Sequence, residues 1–304
     1  MSKSECSVPR LELLQRLAVT LVAGYLRHTP ITKGRWRLTN TFLALLRSIG
    51  GRMGERLVTT RSGFKLNVDL GEWIGQHIYI TGNFEPPTAH LISSLLYEGD
   101  TMIDVGANIG FFTLLASRKV GPSGKVCAFE PVPSTCAAME RNLSINGIVN
   151  VIVHEIALSN LTGTVTIHEG PARNRGLSSI RPISNASGRH SVPVAAFDSL
   201  EVSRGPIHLI KIDVEGAEQL VIEGAMECLR RNRPHLIIEI TDGFLQEFGH
   251  SAMTLHQKLQ GLGYKMYQIT DQGPISVPSE PTAWPRQFNA LFSANPDVIR
   301  KRFG

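Results

Sequence analysis

Asp104, Gly106, Asn108 and Gly110 fall within the run IDVGANIG at 103 to 110, and a second run, VCAFEP, closes on Glu130 and Pro131. A carboxylate at the end of one apolar stretch, glycines in the turn that follows, and another carboxylate ending the next stretch suit a bound adenosine cofactor. Glycine has no Cβ and tolerates positive φ, so backbone at such a turn can come close to a ligand. The pattern reads as buried strand, tight turn and helix, with the strand Lys125 to Phe129 delivering Glu130 at its C-terminal end. In a doubly wound sheet that position lies beside the first loop, where a carboxylate accepts hydrogen bonds from both ribose hydroxyls. Gly106 is followed by Ala107 and Asn108, so the G-x-G-x-x-G spacing that admits a pyrophosphate is absent. Asp104 adds negative charge where a dinucleotide would place phosphate. A cationic sulfonium with an amino-acid tail suits the pocket better. A plain strand-to-helix turn would also explain the first run taken alone; Glu130 sets the pair apart.

A second acidic group follows in LIKIDVEGAE, 209 to 218. It puts Asp213 and Glu215 at the C-terminal mouth of a strand, the edge where open α/β sheets bind ligands, with Glu239 near the end of the next strand. Three roles fit these carboxylates: general base for a substrate hydroxyl, ligands for a hard cation such as Mg²⁺, or acceptors for a cofactor ammonium. Glu215 and Glu218 also suit a helix N-terminus, as negative charge against its dipole. His154, His208 and His235 lie near strand ends and are further candidate bases, although a histidine on an apolar strand is more often a hydrogen-bonded core residue.

The elements that must carry these residues alternate. Leu57 to Thr60 and Phe64 to Val68 flank a Ser62-Gly63 turn as a lead-in hairpin; an apolar run, Ile74 to Ile80, follows, and Gly82 to Pro87 ends in two prolines. Helices are expected at Thr88 to Leu96, Ser134 to Ile145, Ala217 to Leu229 and Met253 to Leu262. Beyond the two strands already placed, strands are expected at Val149 to His154, around the Thr162-Gly163 turn from Leu158 to Ile167, and at Val192 to Ala196. Ile207 to Ile212, Leu236 to Ile240, Tyr264 to Ile269 and Phe288 to Ser293 complete the set. Strands that are nearly continuous in apolar residues and alternate with helices predict an α/β fold with a parallel, doubly wound sheet covered on both faces. Gly170 to Ser191 interrupts the alternation as a long loop whose Arg173, Arg175, Arg181 and Arg189 suit either an anionic substrate or a solvated surface.

At 304 residues, 42% of them hydrophobic, the chain holds one large domain with an extension or two small ones. The net charge of +5 is concentrated in the first sixty residues and shows no basic run interleaved with aromatics, which disfavours a nucleic-acid substrate. Cys6, Cys127, Cys136 and Cys228 make no C-x-x-C pair, so reduced thiols in a cytoplasmic protein are expected. Leu17 to Leu26 is too short to span a bilayer. Leu11, Leu14, Ala18, Leu21 and Tyr25 make a helical stripe, and Phe42, Leu43, Leu45 and Leu46 suggest a second helix. With Arg16, Arg27, Lys33, Arg35, Arg37 and Arg47 nearby, these helices suit either peripheral contact with anionic lipid or, as the favoured reading, a cap on the core or on a second subunit. The oligomeric state is not legible in the sequence.

The chain resembles the FkbM family of S-adenosylmethionine-dependent methyltransferases. The resemblance is carried in order by GNFEPPT (82–88), GDTMIDVGANIGFFTLLAS (99–117), AFEP (128–131), ALSN (157–160), NRGLSSI (174–180), FDSL (197–200) and IKIDVEGAEQLVIEGA (210–225). It implies a Rossmann-like class I methyltransferase sheet over residues 99–304, a β lead-in and helix over 55–98, and a helical extension over 1–54 outside the match. By the same resemblance, Asp104, Gly106, Asn108 and Gly110, with Ala107 among them, line the methionine half of the cofactor, and Glu130 holds its ribose. Phe84 and Glu85 approach from the preceding segment, Phe84 standing where the family often has tyrosine. Asp213 and Glu215 take the methyl-transfer centre, with Glu239 beside them. The activity implied is O-methylation of a sugar or other small hydroxylated metabolite. Two other classes fit parts of the chain: a nicotinamide-dependent oxidoreductase, against the glycine spacing, and a non-catalytic interaction module that keeps the cofactor pocket.

Overall fold

The computed structural model describes residues 10–28, 41–42, 54–171, 173–278 and 285–303. Its contacts divide the chain into two units, 1–84 and 85–304. In the first, helix α1 (Arg10–His28) precedes the hairpin of β1 (Glu55–Thr59) and β2 (Lys65–Asp69), and the apolar run after the hairpin is helix α2 (Trp73–Thr81). Helix α1 buries Val19, Ala23 and Leu26, while Leu21 and Tyr25 of the expected stripe are 72% and 56% exposed. Two apolar stripes coexist on this helix, and packing selects the one that the sequence reading passed over. Most of the expected second helix, with Lys33, Arg35, Arg37 and Arg47, lies outside the described residues. Among the described residues no helix is long and apolar enough to cross a membrane.

The second unit opens with α3 (Pro86–Leu95), whose two prolines occupy the first turn, where no intrahelical N–H is required of them. Then follow β3 (Thr101–Val105), α4 (Phe111–Val120), β4 (Lys125–Phe129), α5 (Pro133–Ile145) and β5 (Val151–His154). After β6 (Ala157–Ser159), β7 (Gly163–Glu169) and β8 (Gly188–Ala196) come β9 (Leu209–Ile212), α6 (Glu218–Glu223), α7 (Met226–Asn232) and β10 (His235–Thr241). The unit closes with α8 (Asp242–Glu247), α9 (Ala252–Gly261), β11 (Lys265–Thr270), β12 (Gly273–Ser276), β13 (Gln287–Ser293) and α10 (Pro296–Phe303).

Eight strands form the main sheet in the order β12-β11-β13-β10-β9-β3-β4-β5, parallel from β10 through β5, with β13 antiparallel between β10 and β11. The chain winds outward from β3 to one edge and then from β9 toward the other. The strand order therefore reverses between β3 and β9, and the crevice at their carboxyl ends is the ligand position of a doubly wound sheet. Ile103, Val105, Ile210, Ile212, Leu236 and Ile238 lie in the core cluster and are buried to 3% exposure or less. Residues of that size stabilise by about 1.5–3 kcal/mol each when removed from water, which anchors the strands whose ends carry the polar groups.

Three expectations change here. Residues 217 to 229 are two helices, because the Asp198 carboxylate accepts the N–H groups of Glu227 and Cys228 at 2.7 and 2.9 Å and starts a new helix after Gly224. The segments flanking Thr162-Gly163 do not pair with each other: β8 lies between β6 and β7 in a separate three-stranded sheet. The long loop is shorter than expected, since Gly188 to Ser191 already belong to β8.

Candidate active site

The loop after β3 is pinned to the end of β4: Gly106 and Ala107 both donate to the Phe129 carbonyl, at 2.9 and 3.1 Å. That contact brings Glu130 to the loop, as expected from the sequence. Its two carboxylate oxygens accept the N–H groups of Asn108 (2.9 Å) and Val132 (3.0 Å). Burial pushes the Glu130 carboxyl up to about 7 although these backbone donors favour the ionised form. Each carboxylate oxygen retains acceptor capacity beyond one backbone donor.

Asp104, fully buried at the end of β3, accepts a 2.6 Å bond from the Thr113 hydroxyl through Oδ2, while Oδ1 has no protein partner among the described residues. Burial raises its pKa, opposed by Lys211. Gly106 has φ +76, and a Cβ there would stand 1.9 Å from the Asp213 carbonyl oxygen. The loops after β3 and β9 thus touch through backbone. Gly106→Ala combines left-handed strain with overpacking and is expected to cost about 3 kcal/mol or more. Calorimetric melting should show this as a fall of roughly 10 °C for a unit of this size.

Asp104 and Lys211 are cross-strand neighbours on β3 and β9. Lys211 is 4% exposed, with its Nζ 3.0 Å from Asp213 Oδ2 and 4.9 Å from the Phe112 ring centre. Burial works against its charge, but Asp213, Asp104 and Glu85 together hold its pKa above the ordinary value. For Asp213 burial likewise opposes ionisation, and Lys211 with a hydrogen bond from Glu239 prevails, placing its carboxyl below the usual carboxylate range. Glu239 and Glu215 move the other way. The charge of Asp213, then burial, raises Glu239, and burial followed by Asp213 raises Glu215. The mouth therefore sets Asp213, which Lys211 favours in its ionised form, beside Glu215 and Glu239, whose ionisation burial and the charge of Asp213 oppose.

Glu215 is in the left-handed region (φ 54), as are Asn108 (φ 51) and Glu85 (φ 40). Each such residue costs on the order of 1 kcal/mol, and strain of this kind gathers at functional sites. Glu218 holds the acidic loop in place by accepting the N–H groups of Gly216 (3.0 Å) and Val214 (3.3 Å). Its position at the start of α6 agrees with the helix-terminus reading. Oxygens of Asp213, Glu215 and Glu239 lie within 4.8 Å of one another. That spacing admits a cation, but the donor set does not suit Mg²⁺, because the Lys211 ammonium already sits on Asp213 and would repel a hard dication.

Sequence reasoning overlooked three groups. Asn289 donates to Glu85 Oε2 at 3.0 Å, Gln287 donates to Glu239, and Lys211 neutralises Asp213. Asn289 and Gln287 lie on β13, with Asn289 in register with Glu239. Glu85 begins the second unit, its pKa raised by burial and by Asp213, whereas Phe84 ends the first, edge-on to Trp73. None of the candidate histidines reaches the mouth. His208 precedes β9 and His235 opens β10, both at the opposite, amino end of the sheet, where the Thr101 N–H donates to His208 Nδ1. His154 ends β5, three strands from β9, and stacks on Phe129.

The chain is 29% identical to Methyltransferase 1 of Beauveria bassiana over 143 residues, 40% of this chain and 57% of that protein, so it spans little more than half the relative's length. It is 31% identical to the 2-O-methyltransferase NoeI of Sinorhizobium fredii over 173 residues, 51% of this chain and 70% of that protein. The solved structure of Methyltransferase FkbM from Methylobacillus flagellatus aligns with a TM-score of 0.42 and 13% identity over 93% of this chain and 60% of that one. The family description Methyltransferase FkbM domain matches residues 104–266. Because that match takes in more than half of the chain, from the Asp104 loop through the acidic mouth, the protein belongs to the Methyltransferase FkbM domain family.

Proposed function

We propose that this protein is an S-adenosylmethionine-dependent O-methyltransferase acting on a hydroxyl of a saccharide or other small metabolite. The observation that carries the reading is the Asp213 carboxylate, held at the switch-point crevice by Lys211 at 3.0 Å and joined through Gly106 to the loop that Glu130 organises. The residues present fit the cofactor. Glu130 has acceptor capacity for two ribose hydroxyls, and the unpartnered Oδ1 of Asp104 suits the amino-acid tail.

When bound, S-adenosylmethionine supplies an electrophilic methyl group on a sulfonium. The chain contributes position and proton handling. Asp213 accepts the proton of the acceptor hydroxyl, Glu239 donates a hydrogen bond to Asp213, and Lys211 keeps that carboxylate charged. Hydroxyl acceptors are also supported by the 2-O-methylation named for the Sinorhizobium fredii relative. Calorimetric titration tests the reading: S-adenosylhomocysteine should bind in the micromolar range and NAD should not. Tight NAD binding without S-adenosylhomocysteine binding would overturn it in favour of hydride transfer.

A pH dependence follows from Glu130. In the free protein its carboxyl sits at about 7. Two hydroxyl donors stabilise only the ionised form, so binding lowers its pKa and releases a proton. Affinity for S-adenosylhomocysteine should therefore rise with pH through 7 and level off above about 8. Below 7 it should fall by up to tenfold per pH unit. Calorimetry in buffers of different ionisation enthalpy should count about half a proton released at pH 7, and a pH-independent affinity from 6 to 8 would remove this role.

A further inference from the structure

The segment between β7 and β8 is tied down on both sides of the mouth. On the β4 side, Ser179 exchanges backbone hydrogen bonds with His168 (2.8 and 3.0 Å), and Ser187 Oγ donates to the Gly170 carbonyl (2.6 Å). Ile180 packs on the cluster of Val132, Ile167 and Val192, and Val132 is two residues beyond Glu130. The next residue, Arg181, reaches the β10 side, where it pairs with Glu247 at the end of α8 and lies 5.1 Å from the centre of the Phe248 ring. Helix α8 follows directly from the carboxyl end of β10. A Cβ on Gly216, in the acidic loop, would stand 2.7 Å from the Phe244 carbonyl, so this helix also packs on the mouth itself.

Between β4 and β10 lie only β3 and β9. Three strand spacings amount to about 14 Å, a distance that two consecutive residues with outstretched side chains can bridge. The line joining these two anchors passes the carboxyl ends of β3 and β9, where the Gly106 loop and Asp213 lie. Arg181, which the sequence suits either to an anionic substrate or to a solvated surface, is committed to Glu247 and Phe248.

We propose that residues 173–187 form a strap roofing the methyl-transfer mouth, that Arg181 is the latch positioning it, and that ligands enter and leave when the latch opens. The proposal rests on the methyl-transfer reading for what lies under the strap, but not for the latch itself. Displacement of a methyl group onto a hydroxyl needs water kept from the reacting atoms, and a roof fastened on its β10 side by a part-exposed ion pair and a ring contact excludes water while opening readily there.

Two variants approach the latch from opposite sides: Arg181→Ala, and Glu247→Ala combined with Phe248→Ala. Losing an ion pair and a cation–π contact at a part-exposed site should raise the open population about tenfold in each. Trypsin should then cleave after Arg173 and Arg175 about tenfold faster, and surface-plasmon measurements should show S-adenosylhomocysteine leaving about tenfold faster. Melting should stay within about 3 °C of wild type, as expected for a local opening. Wild-type cleavage rates in either variant overturn the latch. Faster cleavage with unchanged release overturns the roof, because the strap would then lie beside the mouth. Absence of S-adenosylhomocysteine binding in the wild type overturns the cofactor reading instead, while cleavage still reports on the latch.

Discussion

Glu130→Ala is expected to weaken S-adenosylhomocysteine binding by roughly 10²- to 10⁴-fold. Two hydrogen bonds from ribose hydroxyls to a buried carboxylate are worth about 1.5–3 kcal/mol each, which sets that range. The same truncation leaves the N–H groups of Asn108 and Val132 without their acceptor, so the loop after β3 loses its organiser as well as the ligand its anchor. Glu130→Gln keeps one carbonyl acceptor and no charge, and should fall between the wild type and the alanine variant. Calorimetry gives the affinities, and melting curves establish that each variant is folded. Affinity within threefold of wild type for both folded variants would mean that the adenosyl group binds elsewhere.

The second large effect is expected at Asp213. Asp213→Asn removes the proposed base while keeping the shape of the side chain. Turnover of a hydroxylated acceptor should fall about 10²- to 10⁴-fold, the usual contribution of a positioned general base. S-adenosylhomocysteine affinity should stay within about threefold, because Glu130 and the Asp104 loop are untouched. A parallel collapse of affinity would place Asp213 in the cofactor pocket rather than at the proton. Lys211→Met supplies the companion test. Without the ammonium 3.0 Å away, burial is no longer opposed and the Asp213 carboxyl moves upward. The acidic limb of the pH–rate profile should therefore shift to higher pH, with activity lost near neutrality and partly regained in alkali. A profile unmoved by Lys211→Met would show that the lysine does not tune the base.

Much of this site was legible because its signals are local. Glycines after an apolar strand and acids at strand ends announce a turn and a mouth in a handful of residues, and the structure places both where the alternation of strands and helices predicts. What was missed depends on residues far apart in sequence. Lys211 looks anomalous in an apolar strand until Asp104 on β3 and Asp213 beyond β9 are seen around it. Asn289 and Gln287 read as ordinary strand polarity, because their partners, Glu85 and Glu239, lie 204 and 48 residues upstream respectively. The break at Gly224 was hidden for the same reason, since its cause, the Asp198 carboxylate, belongs to a different segment. Helix α1 failed differently: two apolar stripes run along it, and periodicity cannot rank them.

The place of β13 in the sheet bears on how the chain matures. This strand, formed by 287–293, wedges between β10 and β11, which both precede it in the chain. During synthesis those two strands emerge first and wait with unpaired edges facing each other, a geometry that invites pairing with other nascent chains. The acid-holding amides Gln287 and Asn289 arrive on that same strand. Emergence of residues 287–293 thus completes the hydrogen-bonded sheet and the acidic crevice in a single event, and a product truncated before Gln287 should be insoluble.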